Sequence, residues 1–152
     1  MALAGLLGLA GCGFAPVYQD AAALRGQFGF ETEASVLGFA LGNRLAERLG
    51  EAASPRFVIK ASVTASERAA AITEAGDTAR FNVIGFADWS IVEVATGQQV
   101  MTGRSDAFTS YATTGSTIAT QTTQDDARKR LAIILADLIV TRVLVGAPDL
   151  AS

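Results

Sequence analysis

The chain has 152 residues, of which 50% are apolar and 18% are charged, and its formal net charge is −3. This acidic balance argues against nucleic acid as a partner, and the apolar content is too high for a disordered chain. The chain has no histidine and one cysteine, which excludes a metal site built from histidine and cysteine and removes the commonest general base. We therefore expect no cofactor, no metal and no catalytic residue, and a protein that binds or assembles rather than an enzyme.

The first predicted element is a short apolar leader that ends at the cysteine. Leu3 to Leu9 form the apolar run, and the small residues Ala10 and Gly11 precede Cys12. An apolar run followed by small residues is typical of a signal peptide, and a cysteine at the next position predicts lipidation. We expect cleavage before Cys12 and acylation of its thiol and new amino group, because several acyl chains give a stable membrane anchor. Residues 1–11 contain no Lys or Arg, so we expect a signal peptide that is truncated at its start.

A tether and then a single domain are expected after the cysteine. We assign residues 12–24 to the acylated tether and residues 25–147 to a domain long enough to bury a core. Gln27 to Thr32 alternates phenylalanine with polar or small residues, which predicts a short strand. A helix capped by Ser35 and ending at Leu49 is predicted next, because leucine recurs at every fourth position and forms one apolar stripe.

Three more strands are predicted from the alternation of apolar and polar residues. Arg56 to Thr64 is expected to be a half-buried strand. Ala65 to Thr78 is polar and rich in alanine, and we expect it to be a long connection. A strand over Arg80 to Val94 carries apolar residues on both faces, and a last strand over Gln99 to Tyr111 follows a tight connection. Strands joined so closely are expected to pair antiparallel.

The chain is expected to end in a second helix. Ala112 to Thr122 is predicted to be a loop, Thr123 to cap the helix, and Pro148 to end it, with residues 148–152 as a tail. The element order is then strand, helix, three strands, helix. We therefore predict an α+β fold in which two helices pack on one face of a four-stranded mixed sheet, with the other face free.

Several separated segments carry a resemblance to one family. Cys12 to Tyr18 reads CGFAPVY, and Ser110 to Ser116 reads SYATTGS. Glu67 to Ala69 and the helical residues from Asp125 to Asp137 fit the same pattern. Together these segments resemble the LptE family of lipopolysaccharide-assembly lipoproteins, and the resemblance extends over residues 12–144.

This resemblance implies an outer-membrane lipoprotein on the periplasmic side, whose α+β domain plugs the LptD β-barrel and helps to assemble it. The implied partners are an LptD-like barrel in a heterodimer, lipopolysaccharide on its way to the cell surface, and the inner leaflet of the outer membrane through acyl chains on Cys12. The family carries no enzyme activity. Two alternatives share the lipidation signal: a periplasm-facing lipoprotein subunit of another lipid or solute transport system, and a pilotin-like chaperone of an outer-membrane channel.

Basic residues on the free sheet face are the candidate lipopolysaccharide site. Phosphate groups are bound by Arg and Lys side chains. Arg56 and Lys60 share a strand face in the predicted sheet, and we expect Arg80 and Arg104 to lie near them on neighbouring strands. The alternative interpretation of these four residues is an ordinary solvated polar face.

Overall fold

Four strands form a single mixed sheet in the order β1-β2-β3-β4. The computed structural model describes residues 19–72, 78–113 and 116–151. The strands are β1 (Phe28–Thr32), β2 (Phe57–Ile72), β3 (Thr78–Glu93) and β4 (Gln99–Ala112). β1 pairs parallel with β2, whereas β2 with β3 and β3 with β4 pair antiparallel.

The two longer helices cover one face of this sheet. The described helices are α1 (Gln19–Leu24), α2 (Val36–Leu49), α3 (Thr117–Val145) and α4 (Ala147–Ala151). α2 packs on β1 and α3 packs on β3 and β4, and the two helices also contact each other. The predicted α+β class, the four-stranded mixed sheet and the placement of both helices on one face are thereby confirmed.

The core lies between the sheet and these helices. Alternate residues of each strand point toward the helices, and Phe28, Phe57 and Ile59 are among the fully buried side chains. The predicted leucine stripe of α2 is buried at Leu41 and Leu45. The side chain of Ser35 accepts a hydrogen bond from the Gly38 amide at 3.0 Å, which confirms the predicted cap.

The connection predicted over Ala65 to Thr78 is wrong for its first half. Residues 65–72 continue β2, which pairs with β3 up to Ile72, with Ala65 opposite Gly85. Apolar alternation fades after Val63, but the backbone of β3 still pairs with this segment. Strand pairing with a neighbour therefore overrides the weak local pattern.

The last helix begins earlier than predicted. α3 starts at Thr117 with Ser116 as its N-cap residue, so that most of the loop predicted over Ala112 to Thr122 is helical. Thr123, the predicted cap, lies inside the helix, and its hydroxyl donates to the Ala112 carbonyl at 3.3 Å. This contact joins the first turns of α3 to the end of β4, which offsets the weak helix propensity of threonine.

The end of α3 also differs from the prediction. The helix ends at Val145, before Gly146, and Pro148 lies within the short helix α4. Proline is tolerated in the first turn of a helix because the amide it lacks has no partner there. Pro148 therefore helps to begin α4 rather than to end α3.

Part of the predicted tether is a helix that packs on the domain. α1 includes residues 19–24, and Leu24 is buried in the core together with Leu150 of α4. Cys12 and the leader lie outside the described residues, so their lipidation and cleavage stay predictions. None of the helices in the described ranges has the length and apolar character needed to span a membrane.

Candidate functional site

The sheet face opposite the helices brings two of the four predicted basic residues together. Lys60 of β2 lies opposite Ser90 of β3, and Arg104 of β4 lies opposite Asp88. Side chains that point to the same face alternate along a strand, so Lys60 and Arg104 share the free face. They are two strands apart and offset by two residues.

Both of these cations already have an acidic partner. The Lys60 Nζ lies 3.0 Å from Glu31 Oε2, and Arg104 donates two hydrogen bonds to Asp88, at 2.6 and 2.7 Å. The hydrogen bond from Arg104 holds the pKa of the Asp88 carboxyl below its usual range. The guanidinium of Arg104 also lies 4.2 Å from the ring centroid of Phe86, a cation–π contact. A phosphate that binds here would compete with these carboxylates.

The other two predicted residues lie apart from this pair. Arg56 precedes β2, where it forms an ion pair of 3.4 Å with Glu93. Arg80 lies near the start of β3, opposite Ala71 of β2. Ala71 is 11 residues beyond Lys60 on β2, or about 36 Å along the strand at its usual rise. The four residues therefore form no single site, and the expectation that Arg80 lies near the others is wrong.

Arg80 has a basic neighbour that the sequence interpretation missed. Arg68 lies opposite Asn82 on the adjacent strand, and both arginines are exposed. Within the described ranges, neither arginine has a salt bridge. Arg68 was hidden by the expectation of a loop there; alternation continued through residues 65–72 would have placed it on the free face.

A partly buried polar cluster joins β2, β4 and α3. The Glu67 carboxylate accepts hydrogen bonds from Tyr111 Oη at 2.8 Å and from Gln124 Nε2 at 2.8 and 2.9 Å. Arg128 NH2 lies 2.6 Å from the same carboxylate. Burial opposes the ionisation of Glu67, but these hydrogen bonds outweigh burial and hold the pKa of its carboxyl below the usual range.

The same cluster raises the pKa of Tyr111 to about 12, because burial and the carboxylate of Glu67 both disfavour the phenolate. Glu67 and Tyr111 belong to two segments that carry the family resemblance, but their sequence positions gave no sign that they would meet. The cluster pins α3 across the sheet, and we assign it a structural role.

A second link holds α3 to α2. Arg44 donates to both carboxylate oxygens of Asp137, at 3.0 and 3.1 Å, which is the bidentate geometry that arginine favours. Asp137 lies in the helical segment that carries the resemblance, and its partner could not be read from the sequence.

An apolar groove of about 630 Å³ lies beside the free edge of β4. Ile84 and Phe108 come from the sheet, and Ile134 and Leu138 come from α3. Phe108 is 69% exposed, and the other three side chains are each 39% exposed. In the described parts of the chain, no group of three or more acidic or cysteine side chains could hold a metal. The described surface therefore offers binding faces: a long polar sheet face and an apolar edge.

These features define the class: a small α+β domain with a one-sided sheet, built to bind other molecules. Solved structures confirm this fold. A lipoprotein from Caulobacter crescentus is 22% identical, with a TM-score of 0.68 over 85% of this chain and 98% of that one. Rare lipoprotein B from Shewanella oneidensis is 14% identical, with a TM-score of 0.64 over 83% and 99%. A minor lipoprotein from Acinetobacter baumannii is 15% identical, with a TM-score of 0.59 over 80% and 92%.

The family model described as LptE, lipopolysaccharide-assembly, matches residues 27–143. The chain therefore belongs to the LptE family, as the resemblance predicted. The family consists of outer-membrane lipoproteins that act in lipopolysaccharide assembly, and no enzyme activity belongs to it. No curated protein matches the chain.

Proposed function

We propose that this chain plugs an LptD-like β-barrel, helps to assemble it, and is anchored on the periplasmic side of the outer membrane by acyl chains on Cys12. The match to the LptE family over residues 27–143 carries this proposal. The structure supports it with a domain whose exposed apolar side chains, Phe39, Phe108 and Ile118 among them, offer contacts for a partner.

Copurification from the native host tests this proposal. Full-length tagged protein is extracted with detergent from outer membranes, and the copurifying proteins are identified by mass spectrometry. We expect an LptD-like barrel in a one-to-one ratio. A Cys12→Ala variant is the matched control for anchoring, and we expect it to leave the outer membrane fraction. Recovery of transporter subunits or a secretion channel in place of the barrel would contradict the plug and favour the alternative functions.

We also propose that lipopolysaccharide phosphates bind the basic residues of the free sheet face. Arg80 is the strongest candidate of the four predicted residues, because Arg56, Lys60 and Arg104 each have an acidic partner. Arg68 beside Arg80 would supply a second donor to the same phosphate.

Charge reversal separates these residues. Arg80→Glu is expected to lower the amount of lipopolysaccharide retained in a pull-down several-fold, and Arg104→Glu to lower it less. Arg142→Glu is the control, because Arg142 is an exposed arginine in the last turn of α3, away from the sheet face. Equal retention by the Arg80 and Arg142 variants would contradict the site.

A further inference from the structure

The free edge of β4 has backbone groups without a partner strand. β4 is an outer strand of the sheet, and only β3 pairs with it in the described residues. Residues along an edge strand alternate between those that exchange hydrogen bonds with the neighbour and those whose N–H and C=O groups point outward. The Ser110 carbonyl accepts from Arg130 and the Ala112 carbonyl accepts from Thr123, so the even-numbered residues point outward.

These two contacts cover only the last part of the edge. Arg104, Asp106 and Phe108 have the same parity as Ser110, and in the described ranges no hydrogen bond reaches their outward backbone groups from outside the sheet. An unpaired edge of this kind is a template for another extended strand. The apolar groove beside it would bury side chains once a strand is added.

Helix α3 runs alongside this edge in the opposite direction. The Thr109 hydroxyl donates to the Ala127 carbonyl at 2.9 Å, and Met101 packs near Gly146. Ile134 and Leu138 therefore lie beside the middle of β4, where the groove joins them to Asp106. Their spacing of four residues, continued at Val145, forms a partly exposed apolar stripe on α3.

The charges of β4 select the partner and the register. In an antiparallel pair of two β4 strands, a two-fold axis at Ser105 places Arg104 of each copy opposite Asp106 of the other. Opposite charges across strands stabilise a pair, whereas the registers centred on residue 104 or 106 would oppose like charges. The same axis places the two α3 helices antiparallel, with the Ile134 and Leu138 stripes facing each other.

We infer that the β4 edge and the Ile134–Leu138 stripe form the interface of a homodimer, in which two copies of this chain build a continuous eight-stranded sheet with paired α3 helices. The surface is self-complementary, as an interface between two identical copies must be. The occupant is a second copy because a closed barrel wall has its backbone groups paired within the barrel and offers no strand to this edge. The inference does not depend on the proposed partnership with the barrel.

Sedimentation velocity of the full chain tests the dimer, with Cys12→Ser to prevent acylation. We expect a concentration-dependent shift to twice the monomer mass. Ile134→Glu with Leu138→Glu is expected to weaken the dimer by roughly tenfold or more, which corresponds to at least about 1.4 kcal/mol. The matched control is Phe39→Glu, because Phe39 is an exposed apolar residue on α2, outside this surface. A chain that stays monomeric at every concentration would overturn the inference.

Complementary charge variants test the register. Asp106→Arg alone and Arg104→Asp alone each place like charges opposite one another, and each is expected to be monomeric. A mixture of the two variants restores opposite charges at both pairs, so we expect it to form a heterodimer. Circular dichroism of each variant checks that it is folded. If the mixture behaves like the single variants while the unchanged chain dimerises, this register is wrong.

Discussion

The Glu67 carboxylate shows how much of this fold depends on a few polar atoms. It lies on β2, yet its hydrogen-bond partners come from β4 and α3. A carboxylate that is partly buried is stable only when donors replace the lost water. Glu67 therefore connects three elements that are far apart in sequence, and its loss would leave Tyr111 without its acceptor.

Tyr111→Phe is expected to lower the free energy of unfolding at neutral pH by about 1 kcal/mol, the typical net contribution of a hydrogen bond. The pKa of Tyr111 is about 12 in the folded protein, above its ordinary value of 10.0. A raised pKa contributes stability below pH 10 that is lost as pH rises through 12. Denaturant titrations between pH 9 and 12 should show this loss in the unchanged chain and less of it in the variant.

The second tyrosine of the chain, Tyr18, is kept in the Tyr111→Phe variant. Absorbance at alkaline pH therefore still reports one phenol, which serves as an internal control. An unchanged pH profile of stability in the variant would contradict the assignment of the alkaline loss to Tyr111.

At the scale of elements, the contact between β3 and α3 depends on a residue without a side chain. Gly85 lies in β3 opposite Ala65. A Cβ atom at this position would lie 2.7 Å from Leu131 Cδ2 of α3 and 2.8 Å from the Thr64 carbonyl oxygen. Glycine is thus required by the close approach of the helix and the neighbouring strand.

Gly85→Ala is therefore expected to destabilise the protein by about 1–3 kcal/mol, the usual range for overpacking. Chemical denaturation measures the change. Ser66→Ala is the control, because Ser66 lies on the exposed face of β2, opposite Ile84. If both variants unfold at the same denaturant concentration, the close approach at Gly85 does not limit stability.

The sequence predicted those elements whose local pattern agrees with their burial. The leucine stripe of α2 and the alternation of Arg56 to Thr64 reflect contacts with a single neighbouring layer. Residues 65–72 and 117–122 were assigned wrongly because small and polar residues there take their structure from β3 and from the end of β4. Such tertiary contacts override local propensity.

The candidate site was less predictable than the fold, for a related reason. Alternation correctly placed Lys60 and Arg104 on the free face, because it depends on strand geometry alone. The separation of Arg80 depends on how far β2 and β3 extend, and the pairing of Arg104 with Asp88 depends on strand register. Neither length nor register was fixed by the residues themselves.

At the scale of the whole molecule, the two ends of the described chain meet. α1 packs against α4, and Leu24 and Leu150 are both buried there. The segment that leads to the predicted lipid anchor is therefore fixed to the domain next to its C-terminal helix. This arrangement limits how freely the domain moves relative to the membrane.

Leu150→Ala is expected to lower the free energy of unfolding by about 2 kcal/mol, the lower end of the range for a buried leucine, because α4 can relax around the cavity. Thermal unfolding followed by circular dichroism measures the change. Asp149→Ala is not a suitable control, because Asp149 takes part in an interaction of its own. Val145→Ala is suitable, because Val145 is 76% exposed, and a loss of equal size there would contradict the packing of Leu150.

The unequal strand pairing has a consequence for the order of folding. β2, β3 and β4 are consecutive and antiparallel, so they can form as local hairpins. β1 pairs parallel with β2 only after α2 has crossed between them, with Phe28 opposite Phe57. Contacts that close longer loops form at a greater entropic cost. The three-stranded meander should therefore form in the folding transition state, with β1 docking late, so that substitutions at Phe28 would speed unfolding while leaving the folding rate nearly unchanged.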